Sequence, residues 1–169
     1  AHIDPSLHPM LQKKEQEEKI ALVVVTSDKG LCGAFNSNLL KIALPFIEEK
    51  RPKIICVGKK GFLHLKRRFE IEKSYTDLFF KLTFEKAMEI CNFLVEKFKK
   101  GDYEAIYIAY NQFISVGKYE PTIEKFLPIE EEMEKGEKRD FIFEPSPRDI
   151  LDRIIEHYIE LEFWRVLLE

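Results

Sequence analysis

The run Ile20-Ala-Leu-Val-Val-Val25 constrains this chain more than any other feature. Six consecutive apolar residues, four of them β-branched, leave no polar side for solvent. A strand made from them must be covered on both faces, as in a sheet with helices on either side. The next segments alternate accordingly. Turn residues 26–33 lead to Phe35, Leu39, Ile42 and Phe46, whose spacing of 4, 3 and 4 predicts an amphipathic helix. Pro45 is expected to kink or end it. Lys53-Ile-Ile-Cys-Val57 reads as a second buried strand, followed by Gly58-Lys-Lys-Gly61 and a short helix over 62–69. Residues 71–75 suit a weaker edge strand. Thr83 can cap a long helix with the stripe Phe84, Ala87, Met88, Cys91, Leu94, Val95 and Phe98, and Lys99-Lys-Gly101 supplies its exit. Ala105-Ile-Tyr-Ile-Ala-Tyr110 is the fourth strand.

Beyond it, strands follow without helices between them: 113–116, a Gly117-Lys118 turn, 122–129 and a short Phe141-Ile-Phe143. Short connections of this kind imply antiparallel additions at one edge. Residues 130–140 carry nine charges in eleven positions and read as an exposed loop. The expected fold class is therefore α/β, a three-layer Rossmann-like sandwich whose mostly parallel sheet has antiparallel edge strands. A projecting C-terminal helix completes it. Ser146-Pro-Arg-Asp149 offers an N-cap, a proline at the first helical position and an acid in the first turn. Leu151, Ile154, Tyr158, Leu161 and Leu168 then form a heptad-like stripe with Arg165 at the vacant position. No Gly or Pro closes that helix, so it is expected to continue past Glu169. The organisation reads as a lead-in over 1–19, whose first residues resemble an expression remnant, a globular domain over 20–145, and the start of a coiled-coil helix over 146–169.

Composition narrows the function classes. With 169 residues, 45% hydrophobic and 34% charged, wholesale disorder is excluded. No apolar run approaches the ~18–20 residues a membrane-spanning helix needs. A net charge of −3 argues against a nucleic-acid binder. Cys32, Cys56 and Cys91 form no CxxC pair, and free buried thiols suit a reducing interior. Few Gln and Asn beside abundant Lys and Glu give a heat-adapted leaning.

The most site-like stretch is Asp28-Lys-Gly-Leu-Cys-Gly33, at the carboxyl end of the first strand and leading into a helix. Open α/β sheets bind ligands at such turns. It matches neither G-x-x-x-x-G-K-[ST] nor G-x-G-x-x-G. Asp28, Gly30, Cys32 and Gly33 read as a tight structural turn; the alternatives are a small-molecule or nucleotide site, or a hydrolase with Cys32 as nucleophile. None of His2, His8, His64 and His157 can be placed beside Cys32 from sequence. Lys59, Lys60, Lys66, Arg67 and Arg68 give five basic residues in ten without an acid, either a solvated face or a surface for an anionic partner or lipid headgroups. Glu17-Glu18, Glu48-Glu49 and Glu130-Glu131 read as surface pairs. No metal-ligand spacing and no catalytic constellation emerge, so no cofactor is expected and an interaction part is favoured over an enzyme.

Val23-Val-Val-Thr-Ser-Asp-Lys-Gly-Leu-Cys-Gly-Ala-Phe-Asn-Ser-Asn-Leu39 closely resembles the signature of gamma subunits of F-type ATP synthases. Val57-Gly-Lys-Lys-Gly61, Ile106-Tyr-Ile-Ala-Tyr-Asn-Gln-Phe113, Glu120-Pro-Thr-Ile123, Leu127-Pro128, Phe143-Glu-Pro-Ser-Pro147 and Tyr158-Ile-Glu-Leu-Glu162 match in the same order. The resemblance implies the globular foot of a central rotor stalk, without an active site of its own and with most of its coiled-coil shaft lacking. It implies contact with the epsilon subunit and the membrane rotor ring, and with the alpha/beta hexamer through the shaft. It also implies a peripheral place on the cytoplasmic face of a bacterial membrane. Phe141, Phe143 and Glu144 match the segment near the ring and are the expected contact residues.

Overall fold

A computed structural model describes residues 10, 17–27, 33–129 and 147–168. Five strands form one sheet in the order β3-β2-β1-β4-β5. They are β1 (Ile20–Val25), β2 (Lys53–Val57), β3 (Ile71–Tyr75), β4 (Ala105–Ser115) and β5 (Lys118–Leu127). The first four run parallel, and β5 returns antiparallel along β4 as one edge. Between them lie α1 (Gly33–Lys50), α2 (Lys59–Leu65) and α3 (Phe84–Lys99), with α4 (Pro147–Leu168) after the sheet.

The central strand behaves as its composition requires: all six residues of β1 are buried. Ala21, Val23 and Val25 face the layer built from α3 and α4, while Leu22 and Val24 face the layer of α1 and α2. Full burial of each such Val or Leu contributes roughly 1.5–3 kcal/mol, so two covered faces make this strand the anchor of the domain. Thr83 caps α3 as expected, its hydroxyl accepting from the Lys86 N–H at 3.2 Å.

Several elements differ from the sequence expectation. Pro45 neither ends nor bounds α1, which continues to Lys50. Lys41 and Pro45 both lie on the exposed side, so the carbonyl left without an N–H partner faces water, while Leu39, Leu40, Ala43 and Ile47 hold the opposite side to the sheet. The seat of α1 is thus rotated from the expected stripe. Phe35, Ile42 and Phe46 flank it half-buried, and small Ala43 permits close approach.

The short helix α2 begins at Lys59 rather than Phe62, because the end of β1 nucleates it. The Thr26 hydroxyl accepts from the Gly61 N–H at 2.8 Å, and the Ser27 carbonyl accepts from the Lys60 N–H at 3.1 Å. Nor does β4 stop at Tyr110. The ladder from Ile106↔Leu127 to Ser115↔Lys118 keeps both backbones paired beyond the parallel part, merging 113–115 into β4 and starting β5 at Lys118. Residues 141–143, expected as a short strand, lie outside the described residues.

Helix α4 begins at Pro147, as expected, but sits on a different face. Ile155, Ile159, Phe163, Val166 and Leu167 are buried against the core, whereas Leu161 and Leu168 of the heptad-like stripe are 49% and 58% exposed. Tyr158 of that stripe packs half-buried against the core, and Glu156 and His157 are exposed like Leu161, so the described part of the stripe straddles core and surface. Glu17 is no surface residue either. Its carboxylate accepts from the Tyr107 hydroxyl at 2.7 Å and pairs with Lys125 at 2.5 Å, joining the segment before β1 to β4 and β5.

Candidate functional site

In an open α/β sheet the natural ligand position is the crevice at the carboxyl ends of the strands where the winding reverses. Here it lies between β1 and β4, beside Thr26, Ser27 and Asn111. The described polar groups there bond to one another. Asn36, buried in the first turns of α1, accepts from the Ser27 N–H at 3.1 Å and donates its amide to the Ser27 hydroxyl at 2.8 Å. Asn111, also buried, donates to the Phe35 carbonyl at 3.0 Å. Thr26 donates its N–H to the Val57 carbonyl at 2.8 Å. These groups tie α1, β1, β2 and β4 together. Among the described residues no buried side-chain polar atom lacks a partner, and no cluster of three His, Cys, Asp or Glu could hold a metal.

Of the expected turn residues, Gly33 is the first residue of α1, while Asp28, Gly30 and Cys32 lie outside the described residues. So do Phe141, Phe143 and Glu144. Asn36 and Asn111 carry the geometry of the crevice, and their sequence signal was weak: single amides whose partners lie on other elements.

A second polar group joins α4 to the sheet. The Tyr110 hydroxyl donates to Glu124 at 2.6 Å, and Arg165 reaches Glu124 at 3.4 Å and Glu162 at 2.5 Å. Burial and the Glu124 carboxylate push the Tyr110 phenol well above its ordinary range. The bond to Glu162 holds Arg165 still more firmly protonated. Arg165 therefore fills the gap in the stripe because it faces a carboxylate on β5.

The remaining thiols are sealed. Cys56 and Cys91 are 0% and 1% exposed, and burial pushes each pKa up to about 12, Glu160 adding to the rise at Cys91. A folded state that keeps these protons, against an unfolded value near 9.0, holds the resulting stability below pH 9 and loses it as pH rises toward 12. The urea midpoint should fall across that window, and fall less in Cys56→Val. Labelling of Cys56 and Cys91 at neutral pH should require unfolding; rates within about tenfold of a free thiol would contradict the burial.

Fold and crevice together define a doubly covered α/β domain whose described switch-point groups bond to one another. A family model described as ATP synthase matches residues 1–169. Among curated relatives, an ATP synthase gamma chain from Chlorobium phaeobacteroides (strain BS1) is 36% identical over 180 residues, covering 99% of this chain and 61% of that protein. Another from Geobacter metallireducens is 38% identical over 173 residues, covering 98% and 60%. The chain belongs to the ATP synthase gamma-chain family, and spans about three-fifths of the length of these relatives. Its fold is shared with the cryo-EM structure of the Tetrahymena thermophila mitochondrial ATP synthase central stalk and c-ring. There the TM-score is 0.72 at 23% identity, over 95% of this chain and 73% of that one. The Euglena gracilis mitochondrial ATP synthase rotor aligns with a TM-score of 0.59 at 18% identity, over 89% and 60%.

Proposed function

We propose that this chain is the foot of a central rotor stalk, a non-catalytic part of an ATP synthase that transmits torque between ion translocation and nucleotide chemistry. In this reading residues 20–145 form the foot and 146–169 the base of its coiled-coil shaft. The observation that carries it is the two-sided character of α4. One face is seated on the core, and the other presents Leu161 and Leu168 outward beside Trp164, whose ring meets Phe84 at 5.3 Å. Exposed leucines on a helix already seated on the core suit a further protein contact.

The end of the β4–β5 hairpin supports the same reading, with Phe113, Val116 and Tyr119 at 47%, 96% and 46% exposure. Such surfaces suit a part held by protein contacts. A sheet packed on both faces is also a stiff base, because close-packed interiors deform little. No helix among the described residues is long and apolar enough to cross a membrane. The proposed place is peripheral, on the cytoplasmic face of a bacterial membrane. The proposed partners are the epsilon subunit, the membrane rotor ring at Phe141, Phe143 and Glu144, and the alpha/beta hexamer through the shaft. Co-elution with the cognate epsilon subunit is the expected result. Separate elution at micromolar concentrations of both would overturn the reading.

A further inference from the structure

We propose that Arg165 is a rotational lock: it decides which side of α4 seats on the core. The observed seat consists of Ile155, Ile159, Phe163, Val166 and Leu167, all buried. A second row, Tyr158, Leu161 and Leu168, straddles core and surface, with Tyr158 packed half-buried and both leucines exposed. Arg165 lies in that same row, one helical turn from Leu161 on one side and from Leu168 on the other. A cation therefore stands in the one row that would otherwise compete for the seat.

In the observed rotation the Arg165 side chain keeps 39% of its exposure and reaches Glu124 of β5 at 3.4 Å and Glu162 at 2.5 Å. Glu124 is itself fixed to the sheet, because it accepts from the Tyr110 hydroxyl of β4 at 2.6 Å. On the other flank of the seat the Trp164 ring meets Phe84, the first residue of α3, edge-on at 5.3 Å. A roll that brought Leu161 and Leu168 inward would carry Arg165 with them, away from water and from Glu124. Desolvating a guanidinium without its partner opposes the apolar gain from the two leucines, whereas an apolar residue at 165 would add to that gain. The lock thus acts on orientation more than on stability, as polar groups within apolar helix rows do when they fix register. It requires no partner and is independent of the stalk reading.

Trp164 is the chain's one tryptophan and adjoins the lock, so the NMR signal of its indole N–H reports the seat. Wild type should give one sharp indole signal. Arg165→Leu should give two, or one broadened by exchange between seats, with its denaturant midpoint unchanged or raised. Arg165→Lys, whose charge resists burial equally, should keep one sharp signal. Adding Leu161→Ala to Arg165→Leu should restore one, because it weakens the competing row. Arg165→Met, unbranched like arginine, carries the same test if Arg165→Leu does not fold. A single sharp indole signal in the folded apolar variant would overturn the proposal, whatever its stability. So would a doubled signal in Arg165→Lys.

Discussion

Gly58→Ala is expected to cost more than about 3 kcal/mol, enough to remove cooperative unfolding from a domain of ordinary stability. Gly58 has φ +106, and a Cβ there would stand 2.0 Å from the Thr26 carbonyl oxygen and 2.6 Å from its carbon. Both are backbone atoms at the end of the central strand, so no rotamer change relieves the overlap. Neighbouring bonds prevent the turn from sliding away. Gly58 donates its N–H to the Tyr75 carbonyl at 2.8 Å, and Thr26 donates to Val57 at 2.8 Å, stitching the ends of three strands. Gly101→Ala is the control, with φ +81 and nothing within 4 Å, so it should show the conformational cost alone, about 1 kcal/mol. Denaturant titration of the two variants separates strain from collision. Equal midpoints would mean that the β1 and β2 ends do not approach as closely as described.

The parts of this fold that sequence made legible are those decided by near neighbours. β1 could be read because six apolar residues admit one environment, and α3 because Thr83 caps it and its stripe repeats cleanly. What stayed hidden depends on contacts across the chain. Pro45 is tolerated because it and Lys41, whose carbonyl its missing N–H leaves unpaired, both lie on the exposed side, which depends on how α1 is rotated on the sheet. Glu17 looks like any exposed acid until Tyr107 and Lys125 meet it from β4 and β5. Arg165 looked like a break in a stripe, and becomes intelligible only beside Glu124. The crevice shows the same limit: Asn36 and Asn111 are ordinary amides in sequence, yet they bond to Ser27 and to the Phe35 carbonyl from different elements. The family signature around β1 identified the chain's kind by matching many residues at once, without revealing any of these bonds.

The face by which α4 meets the core is where sequence and structure diverge most, and one pair of substitutions decides it. Phe163 is fully buried, with its ring 5.6 Å from that of Phe126 at the end of β5. Phe163→Ala removes a large aromatic from a closed seat, and such changes cost about 3–5 kcal/mol. Because Ile155, Ile159, Val166 and Leu167 belong to the same seat, the loss should concentrate on α4 rather than spread through the sheet. Hydrogen exchange should then show α4 losing protection while β1, β2 and β4 retain theirs, and proteases should cut first within α4. The polar group at Arg165 will not rescue the helix. Its side chain is 39% exposed, and a partly hydrated pair contributes only about 1 kcal/mol or less. Leu161→Ala, at 49% exposure, should stay within about 0.5 kcal/mol of wild type. A reversed order, with Leu161 costly and Phe163 cheap, would place the heptad-like stripe against the core and remove the exposed leucines on which the proposed stalk role rests. The expected order instead gives α4 a fixed base with Leu161 and Leu168 free, as the proposed stalk role requires.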